Sequence, residues 1–144
     1  MTLNQISVFV ENRTGKLQQL TDVLAQNNVN MRALSLAETS EFGIVRIIVD
    51  DIKAASALLT QEGFIHTITK VLGVAIPDAP GGLNQVLHIL SEGGVNIEYM
   101  YAFLGRKSDT HAYMIFHVQD VDAAVAVLDK QQISCLSEEA LVNL

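Results

Sequence analysis

The residues best suited to bind an anionic group lie in the segment Asp78-Ala79-Pro80-Gly81-Gly82-Leu83, directly after an apolar run at residues 71–76. Pro80 suits a turn or the first position of a helix, because its ring fixes φ and it has no backbone donor. Gly81 and Gly82 permit backbone conformations and close approaches that a side chain forbids. The segment predicts a strand–loop–helix junction whose backbone N–H groups can bind a carboxylate.

A second copy of this junction lies 66 residues earlier, at Asn12-Arg13-Thr14-Gly15-Lys16-Leu17. At the same offset Val29-Asn30 aligns with Val95-Asn96, and after three inserted residues the apolar segments 45–49 and 114–118 align. Self-similarity at a fixed period indicates a structural repeat. The sequence therefore predicts a duplication, with one domain at residues 1–69 and the other at residues 70–144.

Size, charge and cysteine content narrow the classes of function. The chain has 144 residues, of which 49% are hydrophobic and 17% charged, and its formal net charge is −7. An acidic chain without basic blocks is poorly suited to bind nucleic acid or anionic membranes. No apolar run approaches the roughly 20 residues of a membrane helix, and the N-terminus has no signal-peptide pattern. The lone cysteine, Cys135, excludes an intrachain disulfide and fits a cytoplasmic protein.

The hydrophobic periodicity predicts the same order of elements in each half. For the first half these are a strand at 5–10, a helix at 15–27, strands at 29–38 and 44–49, a helix after Asp50-Asp51, and a strand at 64–69. For the second half they are a strand at 71–76, a helix at 81–92, strands at 95–104 and 110–118, a helix after Asp120, and a strand at 135–141. This order is the split βαβ, ferredoxin-like arrangement. We therefore predict an α+β fold of two ferredoxin-like βαββαβ units, each with an antiparallel sheet packed by helices on one face.

The sheet face that points away from the helices also carries apolar residues, namely Ile44, Ile48, Tyr113 and Ile115. A face in contact with water would instead alternate with polar residues. The pattern predicts that this second face packs within the chain or against another chain, and it favours a homodimer.

The repeated pattern resembles the ACT domain family. The residues that carry the resemblance are Ala79-Pro80-Gly81-Gly82-Leu83 with Val95-Asn96-Ile97, and, in a weaker copy, Arg13-Thr14-Gly15-Lys16-Leu17 with Val29-Asn30-Met31. The resemblance covers essentially the whole chain, as two tandem ACT domains. It implies a small-molecule regulatory module, most often for amino acids, with ligands held where ACT units meet.

The resemblance also implies a site, made of the loop before the first helix of each unit and the asparagine at the start of its second strand. In this sequence the predicted ligand-binding residues are Asn12, Arg13, Thr14, Gly15, Lys16, Leu17, Asn30, Met31, Asp78, Ala79, Pro80, Gly81, Gly82, Leu83, Asn96 and Ile97. The loop N–H groups would bind the carboxylate of the ligand, and an asparagine amide offers both a donor and an acceptor. Asp78 can pair with the ammonium group. Because Thr14 replaces the proline and Lys16 the second glycine in the first copy, the second copy is the favoured pocket.

A row of aromatic residues, Tyr99, Tyr101 and Phe103, alternates along one predicted strand. Such a row can stack nucleic-acid bases on this fold. No basic residues flank it within the strand, so packing inside the protein is the favoured interpretation.

The remaining candidates for chemistry have simple interpretations. His111 and His117 share a strand face but lie roughly 20 Å apart, which is too far for one metal ion, and no metal or other cofactor is predicted. The segment Gly105-Arg106-Lys107-Ser108-Asp109 lacks the spacing of a phosphate loop and is predicted to be a solvated hairpin. Cys135 is predicted to be a buried or half-buried thiol.

We predict from these patterns a non-catalytic regulatory or sensor protein that binds an amino acid. Any enzyme of amino-acid metabolism that it regulates would be a separate chain. A small enzyme is a weaker hypothesis, since neither loop repeats an acid, a base or a nucleophile. The alternative is a protein–protein assembly module whose pockets bind no small molecule.

Overall fold

The computed structural model describes residues 1–103 and 110–144, and the predicted hairpin at residues 105–109 lies outside them. The chain divides into two compact units. One consists of Asn4–Thr69, and the other of Lys70–Leu144 together with Met1–Leu3. The predicted α+β, ferredoxin-like fold is confirmed for both units.

The first unit contains a sheet with two helices. Its elements are β1 (Leu3–Glu11), α1 (Lys16–Gln26), β2 (Met31–Glu38), β3 (Phe42–Val49), α2 (Ile52–Gln61) and the start of β4 (His66–Pro77). The strands β2, β3 and β1 lie side by side and pair antiparallel. On the other side of β1, the Phe9 N–H donates to the carbonyl of Ile65 over 2.9 Å, which joins the approach to β4 to the sheet.

The second unit repeats this plan. Its further elements are α3 (Gly82–Glu92), β5 (Ile97–Phe103), β6 (His111–Val118), α4 (Val121–Lys130) and the short α5 (Glu138–Val142). The strands lie in the order β4-β6-β5, and both pairs are antiparallel. An isolated bridge between Val74 and Cys135 flanks β4.

The duplication extends to the ends of the elements. The bounds of α1 and α3 differ by the predicted 66 residues, and those of β3 and β6 by 69. Both first helices begin after a glycine in the left-handed region, Gly15 at φ 85° and Gly81 at φ 88°. Both second helices are capped by an aspartate, Asp51 and Asp120, whose carboxylate accepts a backbone N–H over 3.0 Å. The predicted register of the two repeats is therefore confirmed.

Each unit buries a core between its sheet and its helices. In the first unit the largest fully buried side chains are aliphatic, and they come from β1, α1, β3 and α2: Ile6, Leu20, Leu24, Ile47 and Leu59. In the second unit Phe116 on β6 takes the position equivalent to Ile47 and packs with Leu72, Leu90 and Leu128. These cores fix the ends of β1 and β4 relative to the helices that follow, and so hold the two loops in place.

Two predicted strand boundaries are wrong. The expected strands at 64–69 and 71–76 form the single strand β4, because the polar pair Thr69-Lys70 contains no turn residue and the extended backbone continues through it. The expected strand at 135–141 is only a one-residue bridge followed by α5. Ser137 starts this helix by accepting the Ala140 N–H over 3.1 Å, and two glutamates in the first turn favour a helix start.

The outer apolar positions are largely buried within the single chain. Ile48 and Ile115 are 0% exposed and Tyr113 is 8% exposed. Their burial does not require a second chain, so the homodimer stays a prediction. Among the described residues, no helix is long and apolar enough to span a bilayer.

Candidate functional site

The two loops have the same backbone hydrogen bonds. In the first, Asn12 N–H donates to the Glu41 carbonyl, and Lys16 N–H closes a turn onto the Arg13 carbonyl. In the second, Asp78 N–H donates to the Thr110 carbonyl, and Gly82 N–H closes the same turn onto the Ala79 carbonyl. The matching bonds span 3.0–3.2 Å. The loop shape is thus set by the backbone and does not depend on the different side chains of the two copies.

The loops leave matching donors without an acceptor. At the start of α1 these are the N–H groups of Leu17 and Gln18, and at the start of α3 those of Leu83 and Asn84, counted among residues 1–103 and 110–144. No side chain caps either helix. Adjacent free donors at the positive end of a helix suit an anionic group such as a carboxylate.

The loop glycines are required for different reasons, Gly15 and Gly81 for their backbone conformation and Gly82 for space. A Cβ on Gly15 or Gly81 would meet nothing within 4 Å, so each is required for its positive φ and not for space. A Cβ on Gly82 would lie 2.1 Å from the carbonyl oxygen of Pro77. The group that approaches Gly82 closely is therefore the protein's own backbone. The equivalent position in the first copy, Lys16, carries a long side chain.

The predicted loop residues have varied surroundings. In the first copy Asn12 Nδ2 donates to the Thr39 carbonyl over 3.2 Å, and Arg13 pairs with Glu11 at 2.7 Å. Thr14 is exposed and Lys16 is half-buried.

In the second copy Asp78, Ala79, Pro80 and Gly81 are exposed. A further group of predicted residues packs against the two cores, which leaves mainly their backbone for a ligand: Leu17, Met31, Leu83 and Ile97.

Two cavities flank the first loop. A small one of about 140 Å³, here the loop pocket, is lined by predicted residues Asn12, Arg13 and Leu17 together with Glu38 of β2. A larger one of about 370 Å³, here the first cleft, lies between the start of α1 and the segment that joins α2 to β4.

Apolar and polar side chains line separate parts of the first cleft. Its apolar lining is Phe9, Val10, Phe42, Phe64 and Ile65. Its polar lining is Glu11, Lys16, Gln19 and Glu62. Apart from Lys16, the sequence did not point to these residues, because the fold brings the cleft together from four separate segments.

The asparagines lie far from the loops of their own units. Asn30 precedes Met31, which pairs with Val49 at one end of β3, whereas the first loop follows Glu11, which pairs with Phe42 at the other end. The eight residues of β3 separate these ends by roughly 23 Å. Asn96 has the same place relative to β6. One ligand therefore cannot touch both the loop and the asparagine of the same unit, and a site that uses both needs the asparagine of another unit.

Asn30 belongs to a polar cluster at this far end. Its Nδ2 donates to Asp50 Oδ2 over 2.9 Å, and Arg32 Nε donates to Asp50 Oδ1 over 2.6 Å. The hydrogen bond from Arg32 holds the pKa of the Asp50 carboxyl below its usual value, against the opposing effect of burial and with help from Asn30.

The second unit has a different pair at the equivalent place. Glu98 replaces Arg32, and its Oε2 lies 2.7 Å from His117 Nδ1. The His117 ring stacks on Tyr99 with a centroid distance of 4.7 Å. The two far ends have thus diverged, while the loops have kept their backbone pattern.

Replacing Arg32 with glutamine is expected to lower the free energy of unfolding by about 0.5–1 kcal/mol at neutral pH, as for a partly exposed ion pair. Since the pKa of Asp50 is lowered on folding, its contribution is present above the unfolded value of 3.8 and is lost as the pH falls through the folded value. Urea unfolding at neutral pH and at about pH 2 measures the effect. Lys53→Gln, on the exposed side of α2, is the control. A penalty for Arg32→Gln that is equal at both pH values would contradict this role.

The other candidates have structural roles. Tyr101 and Phe103 are buried, and the Phe103 ring meets Tyr113 edge to face at 5.4 Å, so they offer no stacking surface to nucleic acid. Cys135 is buried, which raises the pKa of its thiol. Within the described part of the chain, no three His, Cys, Asp or Glu side chains are grouped to hold a metal ion.

Comparison with known proteins agrees with this architecture. A family model described as an ACT domain pair matches residues 1–144. A solved structure of a Bacteroides thetaiotaomicron protein is 38% identical, with a TM-score of 0.91, over 100% of this chain and 98% of that chain. A search among curated proteins gives no match.

Regulatory subunits of aspartate kinase also have this fold. The ligand-free subunit from Thermus thermophilus is 14% identical, with a TM-score of 0.60, over 88% of this chain and 91% of that chain. The subunit from Thermus flavus is 12% identical, with a TM-score of 0.59, over 88% of this chain and 90% of that chain. At such identities the likeness concerns the fold alone.

Proposed function

This chain belongs to the ACT domain family, as an ACT domain pair, and we propose that it is a regulatory protein that binds a free amino acid at its strand–helix loops. In the proposal, the carboxylate of the ligand accepts the free N–H groups at the start of α1 or α3. The chain itself carries out no reaction.

The observation that carries the proposal is the pair of unsatisfied donors that both repeats preserve. Leu17 and Gln18 in the first copy, and Leu83 and Asn84 in the second, offer their N–H groups in the same loop geometry. A carboxylate with two oxygens matches two adjacent donors, and hydrogen bonds to an ionised acceptor are about twice as strong as neutral ones. The loop pocket and the first cleft supply space beside the first pair.

A homodimer is part of the proposal. A ligand that favours one arrangement of subunits must bind that arrangement more tightly, and this difference is what a regulatory protein transmits. A role for Asn30 or Asn96 in binding requires a ligand shared with a different unit, because each lies at the far end from its own loop.

Thermal unfolding of the whole chain with each of the twenty amino acids tests the proposal. A specific ligand at about 100 times its dissociation constant should stabilise the chain by about 2.7 kcal/mol, and chemically unrelated amino acids should leave the Tm unchanged. A matched control is the methyl ester of the active amino acid, which cannot supply a carboxylate. A flat result across all twenty would contradict the proposal.

Protein–protein assembly without a ligand is the second candidate function. Leu34 and Leu36 lie on β2, at the edge of the antiparallel set β2-β3-β1, and are 43% and 51% exposed. Exposed apolar residues on an edge strand favour association with another chain. Self-association that depends on these leucines, combined with a flat amino-acid panel, would favour this candidate.

A further inference from the structure

We propose that the first cleft is the amino-acid site and that it selects a ligand with a large apolar side chain. This inference rests on the proposed function and adds to it the repeat that binds and the class of amino acid.

The apolar wall of the first cleft is unusually exposed. Phe9, Phe42 and Ile65 are 39%, 51% and 75% exposed, and all three line this one cavity. They are three of the eight large hydrophobic side chains that are exposed in the described part of the chain. Apolar surface gathered in a concave site is removed from water by an apolar ligand group, whereas the same residues scattered over a surface would have no such use.

Charges of both signs line the same cleft. Lys16, at the start of α1, is half-buried, and Glu62, at the end of α2, is exposed. Neither side chain has an ion-pair partner among the described residues. A zwitterion offers a carboxylate to Lys16 and an ammonium to Glu62, and its side chain then faces the apolar wall. A cleft of about 370 Å³ is in the range of small-molecule sites.

The second repeat provides an internal comparison. At the equivalent positions Phe9 is replaced by Ala75, Phe42 by His111 and Ile65 by Ser134. The two charged positions also change, from Lys16 to Gly82 and from Glu62 to Gln131.

The loop backbone is thus common to both repeats, whereas every exposed apolar or unpaired charged group of the cleft is specific to the first. Because both repeats have the same fold, the fold does not require these side chains. Their presence in the first repeat alone points to a ligand that only the first repeat binds.

Isothermal titration of the whole chain with L-phenylalanine, L-leucine and L-serine tests the inference. L-Phenylalanine or L-leucine is expected to bind at least about tenfold more tightly than L-serine. Removing the carboxylate, as in phenethylamine, or the ammonium, as in 3-phenylpropionate, should each weaken binding about tenfold or more.

Variants locate the site. Lys16→Gln and Ile65→Ser are each expected to weaken binding of the apolar amino acid about tenfold. Lys53→Gln, an exposed lysine on α2 of the same unit that does not line the cleft, should leave it unchanged. Both cleft variants change partly exposed side chains, and circular dichroism of each variant confirms that it is folded.

Three outcomes would overturn the inference. Binding of small polar amino acids only, unaffected by Lys16→Gln, would place the site elsewhere and leave the proposed function intact. Binding of no amino acid would remove both. Self-association that Ile65→Ser abolishes, without amino-acid binding, would show that a second copy of the chain occupies the cleft.

Discussion

Replacing Phe116 with alanine is expected to lower the free energy of unfolding by about 3–5 kcal/mol. Phe116 is 0% exposed and belongs to the second core, to which β4, α3 and α4 also contribute buried side chains. Without the ring, the favourable free energy of its transfer out of water is lost, and a cavity remains that the neighbouring strands cannot fill. Urea unfolding followed by circular dichroism measures the loss.

Two controls accompany Phe116→Ala. Ile47→Ala, at the equivalent position of the first core, should cost about 2–5 kcal/mol because it is equally buried but smaller. Ile68→Ala, at a position that is 50% exposed, should cost less than about 1 kcal/mol. If Phe116→Ala cost no more than Ile68→Ala, the second core would not be packed as described.

Replacing Gly82 with alanine is expected to destabilise the second unit by about 2–3 kcal/mol. The new Cβ would lie 2.1 Å from the Pro77 carbonyl oxygen, so α3 or the end of β4 must shift. This penalty exceeds the gain of up to about 1 kcal/mol that alanine brings as a better helix former than glycine.

The repeat supplies the matched control for Gly82→Ala. Lys16→Ala changes the equivalent position, where a side chain is already present, and should alter stability by less than about 0.5 kcal/mol. Gly81→Ala, one residue earlier, should cost about 1–2 kcal/mol through its positive φ alone, since nothing lies within 4 Å. Equal effects of Gly82→Ala and Lys16→Ala would contradict the close approach at Pro77.

The fold could be predicted well from the sequence because the two repeats can be aligned with each other. Each weak signal occurs twice at a fixed offset, as do the glycine before the first helix of each unit and the aspartate before the second helix. Asp51 and Asp120 were predicted to precede helices for this reason, and both cap them. A signal that occurs twice at a fixed offset is stronger evidence than a single occurrence, because chance rarely places two copies at the same offset.

The errors of prediction have physical causes. A break between the strands at 64–69 and 71–76 was expected at Thr69-Lys70, yet a polar pair without a turn residue does not end a strand. The division between the two compact units does fall between these two residues. The strand at 135–141 was inferred from the order of elements, although Ser137 with Glu138 and Glu139 is a typical helix start.

The position of the asparagines could have been predicted from helix geometry. Asn30 and Asn96 follow helices that start at the loops, and an 11-residue helix carries the chain roughly 16 Å away from its start. The first cleft could not have been predicted in the same way. Phe9, Phe42 and Ile65 meet only through the pairing of β1 with β3 and with the approach to β4.

The amide spectrum of the isotope-labelled chain, titrated with the amino acid that raises the Tm most, shows whether the ligand binds the free donors of the loops. We expect the backbone N–H signals of Leu17 and Gln18, at the start of α1, to shift most and to saturate with the binding curve. Signals that move only elsewhere, with these two amides and those of Leu83 and Asn84 unchanged, would contradict this expectation.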